Sequence, residues 1–155
     1  MIRPTNNIGF LLLHLAFTMA RQNDQILQER LGIGFSQFKI LMVLQMNPHI
    51  QQKDIAEALG QTEASISRQI KLMIDKGLLQ SSVSPQNRRE HITTTTAKGS
   101  RLAEESMRVL NNYHSPMYER LSEKQRIHLT EILANMHECV CQNGKTGACD
   151  HPFNI

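Results

Sequence analysis

Residues 51–99 read as two short helices, a basic hairpin and a return helix, and few folds accommodate that order. Lys53, Asp54, Ile55, Ala56, Leu59 and Gly60 give a short amphipathic helix closed by a glycine, after which Thr62 restarts a helix as its N-cap. In that second helix Ile66, Ile70 and Met73 recur at three- and four-residue spacing as a stripe for the core, while Ser65, Arg68 and Lys71 point elsewhere. Gly77 can take the left-handed conformation that ends the helix. Leu78 and Leu79 begin an extended run to Val83, residues 84–89 turn, and β-branched Ile92, Thr93, Thr94 and Thr95 return, so 78–95 is expected to be a two-stranded hairpin. The sum is a helix-turn-helix followed by a wing.

The exposed side of the second helix suits a nucleic-acid groove. Short hydroxyl side chains let the backbone approach base edges, and the guanidinium of Arg68 can pair bidentately with guanine in a major groove. Arg88 and Arg89 sit at the hairpin tip. A hairpin this small cannot stand alone in water, so it must lean on the helices and project the arginines, where they can enter a minor groove.

These residues resemble the DNA-binding domain of the MarR (multiple antibiotic resistance regulator) family of transcription factors. Leu31-Gly32-Ile33 and Gln37-Phe38 resemble the link between the family's first two helices, and Asp54-Ile55-Ala56 with Leu59-Gly60 resembles its third helix. Lys76-Gly77-Leu78 is similar to the exit of its recognition helix, and Thr96, Lys98 and Gly99 to the Leu-Thr-x-Lys-Gly run after its wing. The resemblance implies DNA contacts from Ser65, Ser67 and Arg68, to which we add Thr62, Lys71, Arg88 and Arg89 as candidates. It also implies a wing tip reading Asp-x-x-Asp-Arg-Arg, where this chain has Ser84-Pro85-Gln86-Asn87-Arg88-Arg89. Both acids are neutral here, which frees the arginines for phosphate and removes an internal ion pair that would orient them. Leu72 and Ile74 stand where the family commonly has charged residues, and are expected to pack on a neighbouring element or to mark a further contact surface.

A chain of 155 residues suits a single domain with its own core. The formal net charge is only +3, so affinity for DNA must come from local clustering. Between Thr62 and Thr96, Arg68, Lys71, Lys76, Arg88 and Arg89 oppose Glu63, Asp75 and Glu90, a modest surplus that a homodimer would double while presenting two recognition helices to a pseudo-palindrome.

The flanks supply that dimer. Over residues 8–30, Phe10, Leu13, Phe17 and Ala20 repeat at helical spacing, with Leu11, Leu12 and Leu15 widening the apolar face. A secretory signal is the competing reading, against which stand a lone Arg3, His14 within the apolar run and no small-residue cleavage site. No run approaches membrane-spanning length, and the expected location is the cytoplasm. Thr96 can cap a helix running through Leu102, Met107 and Leu110 to a break at Ser115-Pro116. Ser122 and Gln125 have capping-box spacing for a last helix, whose Leu129, Ile132, Leu133, Met136 and Val140 form a stripe suited to another helix. An internal core helix is the alternative reading of that stripe; the resemblance favours interlocking of two chains.

No nucleophile motif, phosphate-cradling glycine loop or zinc-protease helix occurs, so enzymatic activity is not expected. His14, His49, His91, His114 and His128 are scattered and read as surface or interface residues. His14 and Arg21 lie on a face that in the family borders a cleft for anionic ligands, which makes Arg21 a candidate carboxylate clamp; solvated charge or pairing between helices is the alternative. All three cysteines fall at the C-terminal end, where His137, Cys139, Cys141, Cys149 and His151 are close in sequence. A Cys-x-Cys, seven-residue spacer, Cys-x-His order could gather ligands around zinc or copper(I). On a helix, however, Cys139 and Cys141 diverge, and His137 and Cys141 share a face. Metal binding, thiol redox sensing and inert reduced thiols all remain open for this tail. The cysteine that peroxide-sensing relatives carry near the N-terminal helix is absent, since none precedes Cys139.

The sequence therefore predicts a mainly α fold: one domain over 1–155, with a winged helix-turn-helix and small two-stranded β-wing at 35–96. Helices at 5–31 and 97–141 form a dimerisation region, and 142–155 a tail. The expected function is a homodimeric repressor of pseudo-palindromic double-stranded DNA, released by a small anionic ligand, a metal or a redox change, with no cofactor required. A protein-interaction module on the same fold and a metal-responsive protein with secondary DNA binding are the alternatives.

Overall fold

The computed structural model describes residues 7–48, 50–83 and 91–143. Its elements run α1 (Ile8–Leu31), α2 (Phe35–Met46), α3 (Gln52–Ala58), α4 (Glu63–Asp75), β1 (Leu79–Val83), β2 (His91–Thr95), α5 (Ala97–Glu119) and α6 (Glu123–Asn143). The fold is mainly helical with one antiparallel ribbon, as the sequence predicts.

Local chemistry sets the helix ends. The Asn7 side chain accepts from the Phe10 N–H at 2.9 Å to start α1, and Gly32, at φ 67°, ends it by returning its N–H to the Gln28 carbonyl. Gly34 has no side chain with which to cap α2, so Asp24 of α1 supplies the acceptor, taking the Phe35 N–H at 2.8 Å. One carboxylate thereby both caps α2 and fixes its angle to α1.

α2 is the central helix. Phe38, Ile40, Leu41, Val43 and Leu44 are buried on several of its sides, and α1, α5 and β2 pack around it. The core continues through Leu27 and Ile33, Ile55 and Ala56 of α3, Ile66, Ile70 and Met73 of α4, Leu78 and Leu79, and Ala103 and Leu110 of α5. Each such aliphatic side chain contributes about 1.5–3 kcal/mol by burial, so this cluster orders the winged part as one unit. Ile74 packs against it too, which accounts for its apolar character.

The ribbon pairs Leu79 with Thr95 through Val83 with His91. Leu78 lies outside it: its N–H bonds the Met73 carbonyl and its own carbonyl accepts from the Thr96 N–H, so it belongs to the helix exit.

The second long helix departs from expectation. α5 does not break at Ser115-Pro116 but runs through Pro116 to Glu119. The fixed φ of proline is itself helical, so the ring costs one backbone bond, to the Asn112 carbonyl, on a side where both residues are exposed. The neighbouring turn is meanwhile held by buried His114. Ser122 and Gln125 form the anticipated reciprocal cap of α6, with N–H to side-chain oxygen distances of 2.9 and 3.3 Å.

α6 stands away from the protomer core: residues 122–140 are exposed throughout. Its Ile127, Leu129, Ile132, Leu133, Met136 and Val140 lie open to solvent, as do Ile8, Leu13 and Phe17 of α1, with Val140 69% and Leu13 75% exposed. No described helix is long and apolar enough to cross a membrane.

Candidate nucleic-acid interface

α4 divides into two sides. Ile66, Ile70 and Met73 are buried beneath it, and Ala64, Ser67, Arg68, Lys71 and Leu72 are exposed above. Its start is capped by Thr62, whose hydroxyl accepts from the Ser65 N–H at 3.2 Å. Ser65 is half-buried at the edge of the exposed side, donating its hydroxyl to Gln61 Oε1 at 3.4 Å. Gln61 in turn donates to the Ser36 hydroxyl at 2.9 Å, and Gln37 to Gln69 Oε1 at 3.2 Å, so α4 is held to α2 by two polar bridges. Thr62, Ser67, Arg68 and Lys71 thus share one exposed surface, with Ser65 beside them and engaged inward. The backbone N–H groups of the helix start, Arg68 and Lys71 put positive charge on this surface, opposed in the first turn by exposed Glu63. Arg88 and Arg89 lie outside the described residues.

The exit of α4 is clamped on two sides. Gly77, at φ 70°, turns the chain. The Thr96 hydroxyl donates toward the carbonyls of Gly77 at 2.8 Å and Leu78 at 3.1 Å, while accepting from the Gly99 N–H at 3.0 Å. Lys98 Nζ donates to the Lys76 carbonyl at 2.8 Å, a cation on the negative end of the helix dipole. From the other side Lys76 Nζ reaches the Gly32 carbonyl of the α1 C-cap at 3.5 Å. The sequence supplied Thr96 as a helix cap; it did not reveal that Thr96 and Lys98 fasten α5 to the exit of α4.

A groove of about 740 Å³ lies between α1 and α2, lined in part by Phe17, Ala20, Arg21, Gln25, Phe35 and Lys39. The Arg21 guanidinium carbon lies 5.9 Å from the Phe17 ring centroid, and Lys39 Nζ 5.4 Å from that of Phe35. Arg21 thus lines this groove beside an aromatic ring. His14 is not in the lining; it stacks on Phe10 at 5.8 Å. Sequence reasoning missed Lys39 and Phe35, which lie far from Arg21 along the chain and reach the groove only because Asp24 docks α2 on α1.

His114 is buried at the α1–α5 contact, 9% exposed, with Nε2 2.6 Å from Asn23 Oδ1. Since that oxygen can only accept, Nε2 carries the hydrogen in the neutral ring. Burial holds its pKa below the ordinary histidine value of 6.5. Of the C-terminal cluster, His137 and Cys139 are exposed on α6, whose backbone extends past Cys141, while Cys149 and His151 lie outside the described residues. Among the described residues no three His, Cys, Asp or Glu side chains are grouped to hold a metal.

Two short helices with one buried under the other's capped start, a ribbon behind them and long helices on either side define a winged helix-turn-helix protein. The MarR family model matches residues 31–90, the span from the end of α1 to the start of β2. Among curated proteins the chain is similar to YdgJ of Bacillus subtilis (strain 168), an uncharacterized HTH-type transcriptional regulator, at 25% identity over 105 residues. That alignment covers 68% of this chain and 64% of the relative's length. Among solved structures the fold is similar to wild-type MarR of E. coli in its apo form, with a TM-score of 0.75 and 19% identity over 88% of this chain and 98% of that one. It is also similar to the S. aureus MepR–DNA complex, with a TM-score of 0.69 and 22% identity over 89% and 99% of the two chains.

Proposed function

We propose that this protein is a sequence-specific transcriptional regulator that binds double-stranded DNA as a homodimer and represses until a small anionic ligand releases it. The observation that carries this reading is α4: a helix bridged to the core by Gln61 and Gln69, with a capped start and Ser67, Arg68 and Lys71 all exposed on its outer side. The structure of MepR with DNA supports the same use of this fold. Arg68 would read a base edge, and Ser67, Thr62 and Lys71 would hold phosphates. The exposed apolar sides of α1 and α6 would pair with a second copy, spacing two recognition helices about one DNA turn, ~34 Å, apart. Arg21 and Lys39, each near an aromatic ring on the groove between α1 and α2, would hold a carboxylate-bearing ligand and thereby bias the angle between those helices.

Fluorescence anisotropy at one near-physiological salt concentration, comparing DNA from the region upstream of the protein's own coding sequence with a shuffled duplex, tests the reading. A preference of ~10³ or more is expected. Arg68→Ala should remove ~1–3 kcal/mol of the specific affinity and flatten discrimination. Equal, weak binding to both duplexes would exclude autoregulation there and favour a protein-binding role for the fold.

A further inference from the structure

Leu72 is 51% exposed, a large apolar side chain left open on α4 while Ile66, Ile70 and Met73 of the same helix are buried. Its neighbour Ile74 has an apolar partner, the core. Leu72 is not among the residues packed against that core: it sits on the exposed side of α4, one turn beyond Arg68 and next to Lys71. A surface that meets phosphate through Arg68 and Lys71 does not gain from leucine unless what it meets has an apolar group. In a DNA major groove that group is the 5-methyl of thymine. Ala64, exposed one turn before Arg68, adds only a methyl group, so the start of the helix can approach the bases closely.

Resting on the DNA-binding reading above, we propose that Leu72 is a specificity-determining residue that reads the 5-methyl group of a thymine about two base pairs from the guanine held by Arg68. The spacing follows from the helix: four residues rise ~6 Å along α4, and base pairs are stacked ~3.4 Å apart. Leucine at this position thus makes the half-site a guanine with a nearby thymine, and the methyl group is what distinguishes that thymine from the other pyrimidine edges.

The test begins with selection of a preferred sequence from a randomised duplex library by the full-length protein. Each thymine of the selected duplex is then replaced singly by deoxyuridine, which removes only the methyl group, and affinities are measured by anisotropy for the wild type, Leu72→Ala and Leu72→Gln. The guanine is located as the position whose preference is lost in Arg68→Ala. We expect about a fourfold loss in the wild type, the worth of burying one methyl-sized group, at one thymine within about two base pairs of that guanine, and no loss at that position in either Leu72 variant. If the wild type selects a sequence but no uridine substitution separates it from the Leu72 variants, thymine reading by Leu72 is overturned while DNA binding stands. If the library yields no preferred sequence, the DNA-binding reading falls and this inference falls with it. The uridine series on the wild type needs no variant to fold, and circular dichroism establishes that the variants do.

Discussion

Gly99 has no room for a side chain. A Cβ there would lie 2.1 Å from the Leu78 carbonyl oxygen and 3.4 Å from a Leu41 methyl, and the oxygen is backbone, already held by Thr96. Gly99→Ala must therefore push α5 off the exit of α4, at a cost of about 1–3 kcal/mol. Thermal unfolding followed by circular dichroism should show Tm lowered by several degrees; an unchanged Tm would mean that the joint yields without cost. The contact it protects is also the one that fixes α4 against α5. Gly32, Gly60 and Gly77 serve differently: at φ 67°, 60° and 70° they turn the chain where other residues would be strained.

Among the elements, the α1–α5 pair carries a titratable group at its contact. His114 is neutral there, facing Asn23. Its folded pKa lies below 6.5, the ordinary value it regains on unfolding, so between the two the unfolded chain binds more protons. The contribution of this group to stability is therefore complete above pH 6.5, declines as the pH falls through 6.5, and levels off below the folded pKa. Urea unfolding of the wild type and His114→Gln over pH 5–8 should show the wild type losing more stability on acidification than the variant. Parallel curves would show that burial at this contact does not shift His114. The α4–α5 joint is of another kind, built from backbone carbonyls and the Thr96 and Lys98 side chains.

For the whole molecule, the exposed apolar sides of α1 and α6 are the largest mismatch between the single protomer and water. On the proposed homodimer, Ile132→Glu places a carboxylate in the middle of the α6 stripe; sedimentation should then show the variant monomeric and the wild type dimeric, and the proposed specific DNA affinity should fall by tenfold or more as the two heads uncouple. A variant that remains dimeric would place the interface elsewhere. Much of this architecture was legible in the sequence because it rests on local rules: Thr62 and Ser122 as caps, Gly77 as a stop, the Ile66–Ile70–Met73 stripe, and the β-branched Ile92–Thr95 that return as the second strand of a hairpin. These need only neighbours within a turn or a strand. The same locality misled at Pro116, where proline signals a break but the helix continues across an exposed side. What only the tertiary structure decided are the pairings between different elements: Asp24 capping α2, Asn23 meeting His114, Lys39 joining Arg21 at one groove, and Lys98 closing α4. A carboxylate or an ammonium carries no mark of its distant partner, because each hydrogen bond is short-ranged and comes into existence only when hydrophobic packing has brought the two helices together.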